Sequence, residues 1–176
     1  MRNLIKQAST AILSVLLLAS CSSSEYNVIE TTVSPTVALL SDAGCLNGRS
    51  DMDAASRADE ADGCTFEMAL DGTVAQCKFT NLVYDCNYGK VNVKVSFKDN
   101  VLSIVEYPSD EGVDCLCRTN AEFTINDIPD KDFTLKIYAG ETATGKYNAA
   151  NPRYAGRVVV KDGGIKVAYD ARYSYY

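Results

Sequence analysis

From Cys64 onward, apolar and polar residues alternate with a period of two. Phe66, Met68 and Leu70 alternate with Thr65, Glu67 and Ala69, and Asp71-Gly72 then turns the chain into Val74 to Phe79. Val91, Val93, Val95 and Phe97 alternate with Asn92, Lys94 and Ser96, and Lys98-Asp99-Asn100 leads into Val101 to Tyr107. Cys115, Cys117, Thr119, Ala121, Phe123 and Ile125 share one face of the next strand, and Phe133, Leu135 and Ile137 one face of the strand after it. Arg157 to Val160, a turn at Asp162-Gly163-Gly164, and Ile165 to Tyr169 predict a closing hairpin. Upstream, Tyr26 to Val33 and Thr36 to Leu40 are rich in β-branched residues and divided by Ser34-Pro35, which predicts two short strands or one broken edge strand. Successive side chains of a strand point to opposite faces, so this period marks half-buried strands. About nine short strands with almost no helical periodicity predict an all-β fold, an antiparallel two-layer β-sandwich. A transmembrane barrel needs longer apolar strands, of about ten residues.

Two segments break the alternation. The first is N-terminal: Arg2 and Lys6 precede an apolar run from Ala11 to Leu18, which ends in Leu18-Ala19-Ser20-Cys21. A positive start, a short apolar stretch and small residues before a cysteine make a secretory signal over residues 1–20. The run is too short for a membrane-spanning helix, which needs about 20 residues. The Leu-Ala-Ser-Cys ending resembles the lipobox of bacterial lipoproteins, and that resemblance implies cleavage before Cys21 and a diacylglycerol on its thiol. Residues 21–25 then form a polar tether, and residues 26–176 a single domain. Two or three acyl chains on one cysteine give lasting membrane attachment.

The second break is the polar stretch Asn47 to Gly63, with five acids and no β-branched residue. Ser50 can cap a short exposed helix over Asp51 to Ala61, with Asp53 in its first turn. Asp51, Asp53, Asp59 and Asp62, with Glu60, are weak calcium candidates. Asp51 and Asp53 fit the first two positions of an EF-hand loop, but Ala55 stands at a ligand position and Ser56 where the turn needs glycine. A loop clipped by a Cys45–Cys64 disulfide explains the stretch better, and closing it would contribute roughly 3 kcal/mol.

Cysteine parity fits an exported chain. Seven cysteines are odd, but with Cys21 acylated six remain: Cys45, Cys64, Cys77, Cys86, Cys115 and Cys117. Six allow up to three disulfides in an oxidising compartment, in any of 15 pairings. A cysteine-only zinc site would compete with that oxidation, so no metal and no cofactor is expected. Cys115 and Cys117 lie in a strand between Asp114 and Arg118, a setting for structural disulfides and not for an activated thiol.

Charge and composition narrow the chemistry. Lys and Arg number 17 against 23 Asp and Glu, a net charge of −6. Residues 1–20 carry two cations and no acid, so the remaining 156 residues have a net charge of −8. Such a chain does not attract nucleic acid or anionic lipid through its bulk charge. It contains no histidine, which removes Ser-His-Asp and Cys-His nucleophile systems. Paired carboxylates are the remaining catalytic option, but nothing in the sequence singles out a pair, and no catalytic residue is assigned.

Six of the eleven tyrosines follow residue 146, with arginines interspersed. Tyrosine and arginine are enriched at contact surfaces, and tyrosine rings also stack on sugars. Tyr154, Arg157, Tyr169, Arg172, Tyr173, Tyr175 and Tyr176 are therefore the candidate binding surface. The competing account is cross-strand packing of tyrosines.

Residues 80 to 138 carry a further pattern. Asn81-Leu82-Val83-Tyr84-Asp85-Cys86 is followed by the Val91/Val93/Val95 strand, Asp114-Cys115-Leu116-Cys117, Phe123-Thr124-Ile125 and Phe133 to Tyr138. This resembles a group of small envelope lipoproteins of anaerobic Gram-negative bacteria, in which a strand ending in cysteine and a Cys-x-Cys strand recur around a β-sandwich. The resemblance implies a fold and a location, and a disulfide from Cys86 to Cys115 or Cys117. Cys115 and Cys117 point to the same face with Cα atoms roughly 6.5 Å apart, so each pairs with another strand. A weaker likeness is to periplasmic lysozyme-inhibitor lipoproteins, through Tyr84-Asp85-Cys86-Asn87-Tyr88-Gly89 and Val91-Asn92-Val93. The inhibitory loop of that family has only Asn151-Pro152-Arg153-Tyr154-Ala155-Gly156 as a counterpart.

The sequence thus predicts a disulfide-stapled, non-catalytic binding module, anchored to the outer membrane by a lipid on Cys21 and facing the periplasm or the exterior. Its partner would be a protein or a glycan. An inhibitor of an envelope hydrolase and a carboxylate-based hydrolase are the alternatives.

Overall fold

In the computed structural model, residues 34–46 and 63–169 are described. Cys21, the tether, the Tyr26–Val33 strand, the helix over residues 51–61, the calcium candidates and residues 170–176 lie outside them. Among the described residues nine strands form: β1 Thr36–Asp42, β2 Cys64–Asp71, β3 Val74–Cys86, β4 Val91–Lys98 and β5 Val101–Pro108, then β6 Val113–Asn126, β7 Phe133–Ala139, β8 Tyr154–Val158 and β9 Gly164–Tyr169. No helix among the described residues is long and apolar enough to cross a membrane.

Two sheets face one another. The first has the order β1-β6-β3-β2-β9 and the second β4-β5-β7-β8. Between them pack the inward members of each alternation: Phe66, Phe79 and Phe123 from the first sheet, with Leu102, Ile104, Phe133, Leu135 and Ile137 from the second, all essentially inaccessible to solvent. The ring centroids of Phe66 and Phe79 are 4.8 Å apart, and those of Phe79 and Phe123 5.6 Å, so one aromatic row runs across three neighbouring strands. Each of these side chains contributes roughly 1.5–3 kcal/mol by leaving water.

The all-β sandwich is as the alternation predicts, with three differences. First, Val74–Phe79 and Asn81–Cys86 belong to one 13-residue strand, β3. A bulge between Phe79 and Leu82 accommodates Asn81 at φ 62°, and the Asn81 N–H donates to Asn120 Oδ1 at 3.0 Å. Second, one strand pair is parallel: β5 and β7 run side by side, Leu102 opposite Leu135 and Ile104 opposite Ile137. Parallel neighbours require a crossover, and here the crossover is β6, which lies in the other sheet.

Third, the closing hairpin does not form. β8 pairs with β7 in the second sheet, whereas β9 pairs with β2 in the first. A 3-10 turn, Val160–Asp162, carries the chain between sheets. Gly164 completes the transfer at φ 142°, so close to β2 that a Cβ would stand 1.9 Å from the Met68 carbonyl oxygen. The turn residues are those of a hairpin, but the apolar faces of β8 and β9 each find a different sheet.

Candidate functional site

The six described cysteines form two disulfides and two thiols. Cys45 is bonded to Cys117 and Cys86 to Cys115, both with Cα atoms 5.4 Å apart. Cys86–Cys115 is one of the two pairings that the lipoprotein resemblance implies, and Cys115 and Cys117 each bond to another segment. The expected Cys45–Cys64 clip is absent. The chain after Asp42 runs along β6, with the Leu46 N–H donating to the Arg118 carbonyl at 2.8 Å, which brings Cys45 to Cys117. Cys64 and Cys77 are buried free thiols, and burial pushes the pKa of each up to about 12.

Around Cys64 lies the polar part of the core. Glu106 on β5 continues the inward series Leu102, Ile104 and is 4% exposed. Its carboxylate accepts a hydrogen bond from the Tyr84 hydroxyl of β3. Burial pushes its pKa up to about 8, against the lowering effects of Tyr84 and of the positive charge on Arg153. Tyr169 on β9 is buried beside Cys64, and its hydroxyl meets hydrogen-bonding geometry with no group among the described residues. The thiol is nevertheless close enough to act on it electrostatically. Nearby, Asp42 joins the sheets. Its carboxylate accepts the Val91 N–H of β4 and the Gly44 N–H, both at 2.9 Å, and the Tyr88 hydroxyl at 3.5 Å.

The candidate binding residues are not gathered on one surface. Tyr169 is a core residue, contrary to expectation, because β9 turns it inward against Cys64. Tyr154 is half-buried against the core, its ring folded over Gly156, while Arg157 points outward from the opposite face of β8. Arg157 donates to Asp132 Oδ2 at 2.8 Å. That contact, with the Val160 N–H, holds the Asp132 carboxyl below the usual range. Arg172, Tyr173, Tyr175 and Tyr176 lie outside the described residues.

Two outer faces remain. On the first sheet a shallow groove of about 750 Å³ crosses β9, β2, β3 and β6. Lys166, Glu67, Lys78 and Glu122 are register neighbours along it, with Lys166–Glu67 at 2.6 Å and Lys78–Glu122 at 2.7 Å. These exposed charges neutralise one another and add little stability. Glu106 does not line this groove.

The outer face of the second sheet is different. Register places Lys98, Val101, Thr134 and Arg157 in one row across its four strands. Ser96, Ser103, Lys136 and Ala155 form the next row, and Lys94, Val105 and Tyr138 a third. Four cations and no acid stand in these rows, in a chain of net charge −6, but Arg157 is paired with Asp132 just before β7, which leaves Lys94, Lys98 and Lys136. Lys98 and Lys136 have no ion-pair partner among the described residues.

The segment Gly140–Asn148 covers the end of this face. The Lys94 ammonium donates to the Thr144 carbonyl at 2.7 Å and stands 5.0 Å from the centre of the Tyr107 ring. Gly145, at φ 59°, lies so near that ring that a Cβ would stand 2.7 Å from it. Tyr147 packs on Tyr138 with centroids 4.5 Å apart and stays 41% exposed.

Of the tyrosine and arginine enrichment near the C-terminus, Arg157 and Tyr147 stand on or beside this face, whereas Tyr154 and Tyr169 turn toward the core. The remaining signal for this face lies in the polar members of the alternation: Lys94, Ser96 and Lys98 follow from the inward Val91/Val93/Val95/Phe97 series, and Lys136 from Leu135/Ile137. What the sequence lacks is the strand order that sets them side by side. Comparison with protein-family models, curated proteins and solved structures finds no match to this chain.

Proposed function

We propose that this protein is a lipid-anchored cell-envelope binding module that holds its partner on the outer face of the second sheet. The observation that carries the reading is charge segregation. Lys94, Lys98 and Lys136, with Arg157 paired to Asp132, share one face of an acidic chain, beside the exposed Tyr147 ring. Local charge of one sign steers an oppositely charged partner even where net charge would repel it. The lipobox-like Leu18-Ala19-Ser20-Cys21 supports an outer-membrane anchor, with the domain in the periplasm or outside the cell. The stretch nearest to an inhibitory loop, Asn151 to Gly156, is partly built into β8, so the hydrolase-inhibitor reading gains no support from it.

The test is sedimentation of the purified full chain with isolated envelopes at low and high salt. Wild type is expected to co-sediment at low salt. Lys98→Gln/Lys136→Gln, which breaks no ion pair among the described residues, is expected to bind about tenfold less, the effect of removing two charges that meet the partner. Equal binding by both proteins would sink the assignment of this face. Metabolic labelling with a fatty acid, abolished in Cys21→Ala, tests the anchor separately.

A further inference from the structure

We propose that the ligand of this face is a linear anionic polysaccharide bearing carboxylate or sulfate groups, an inference that rests on the face being the binding surface. The cations do not converge on a point. Neighbouring strands lie about 4.8 Å apart, so Lys98 on β4 and Lys136 on β7, unpaired among the described residues, stand about 10 Å apart across the sheet, while Arg157 on β8 is already paired with Asp132. Lys136 sits one row further along β7, and Lys94 one row beyond that on β4. A single small anion would engage one of these at a time, whereas a polymer with spaced charges engages several together.

The groups between the cations favour a sugar over a peptide. Ser96, Ser103 and Thr134 place hydroxyls among the charges, suited to exchanging hydrogen bonds with sugar hydroxyls. Tyr147, braced on Tyr138, offers an exposed ring at the end of the face, on which the C–H side of a pyranose can pack. An acidic peptide captured by strand addition would set its charges along one sheet edge. Here the cations come from β4, β7 and β8 and cross the sheet.

The experiment uses the full chain in detergent with four probes: polygalacturonate, dextran sulfate, neutral dextran and polyglutamate. Binding is read by calorimetry or by retardation in affinity gels. Polygalacturonate or dextran sulfate is expected to bind and neutral dextran not. Lys98→Gln/Lys136→Gln is expected to lose about tenfold in affinity and much of its salt dependence. Tyr147→Ala is expected to lose about threefold to tenfold with salt dependence unchanged, and Tyr147→Phe to retain binding, because ring packing and not charge is removed. Polyglutamate binding as tightly as the polysaccharides, with Tyr147→Ala unaffected, would overturn the sugar and leave a charge-reading face in place. Envelope binding without binding of either anionic polysaccharide also overturns it. Silence towards every probe and towards envelopes removes the binding-face reading as well.

Discussion

Glu106 is a carboxyl group placed where hydrophobic side chains normally go, and its partners decide how it behaves. Tyr84 donates to it, and Arg153, Cys64 and Tyr169 surround it electrostatically. In the folded chain it keeps its proton up to about pH 8, against an ordinary value of 4.5. Between those values the folded state binds more protons than the unfolded one. The contribution of Glu106 to stability is therefore fullest below about pH 4.5, falls as pH rises through the window, and levels off above about 8. The whole effect is at most roughly 5 kcal/mol, at about 1.4 kcal/mol per pH unit. Glu106→Gln keeps an acceptor for Tyr84 and is expected to flatten urea midpoints between pH 5 and 8. An unchanged slope in that variant would show that Glu106 does not titrate as described. The thiols give a second residue-scale prediction. Buried, with pKa values near 12, Cys64 and Cys77 are expected to resist iodoacetamide in the native protein and to react fully after denaturation without reductant. Peptide mass mapping reads both states.

At the scale of elements, the disulfides act on β6, the strand that both of them hold. Cys45–Cys117 spans 72 residues and Cys86–Cys115 spans 29. By loop-closure entropy these contribute about 4.4 and about 3.6 kcal/mol. Cys45→Ala/Cys117→Ala is expected to lower the denaturant midpoint more than Cys86→Ala/Cys115→Ala. The difference is widened by Cys117 being fully buried, so that its truncation also opens a cavity. The reverse order would mean that the denatured chain is already compact around residues 45–117. Legibility in the sequence stops at this scale. The inward and outward faces of β2, β4 and β7 follow from pleating alone, whereas β5 carries Glu106 among its inward residues and Val105 and Tyr107 on its outer face. That β8 and β9 part company does not, because Asp162-Gly163-Gly164 suits a hairpin turn as well as a passage between sheets.

For the molecule as a whole, the central strands β3 and β6 are paired on both sides and bury Phe79, Leu82, Ala121 and Phe123. Their amides are expected to exchange slowest with solvent, opening only with global unfolding, while the edge strands β4 and β8 exchange earlier. Faster exchange in β3 than in β4 would contradict this order of stability. The edges also carry protection against pairing with other chains: Lys94 and Lys98 on β4, Arg157 on the short β8, and a bulge at Leu39 in β1. The same lysines that guard the edge form part of the basic face.

The sequence by itself determined that this is a β-protein, which faces of β2, β4 and β7 turn inward, and that Cys115 and Cys117 share a face. Those are properties of a period-two chain and need no knowledge of neighbours. Only the tertiary structure decided that Cys45 meets Cys117, that β5 runs parallel to β7, that Glu106 lies against Tyr84, and that Lys98, Lys136 and Arg157 stand on one surface. Each of these depends on which strands become neighbours. That order is chosen by the joint burial of two apolar faces, and pleating, which repeats identically in every strand, carries no record of it.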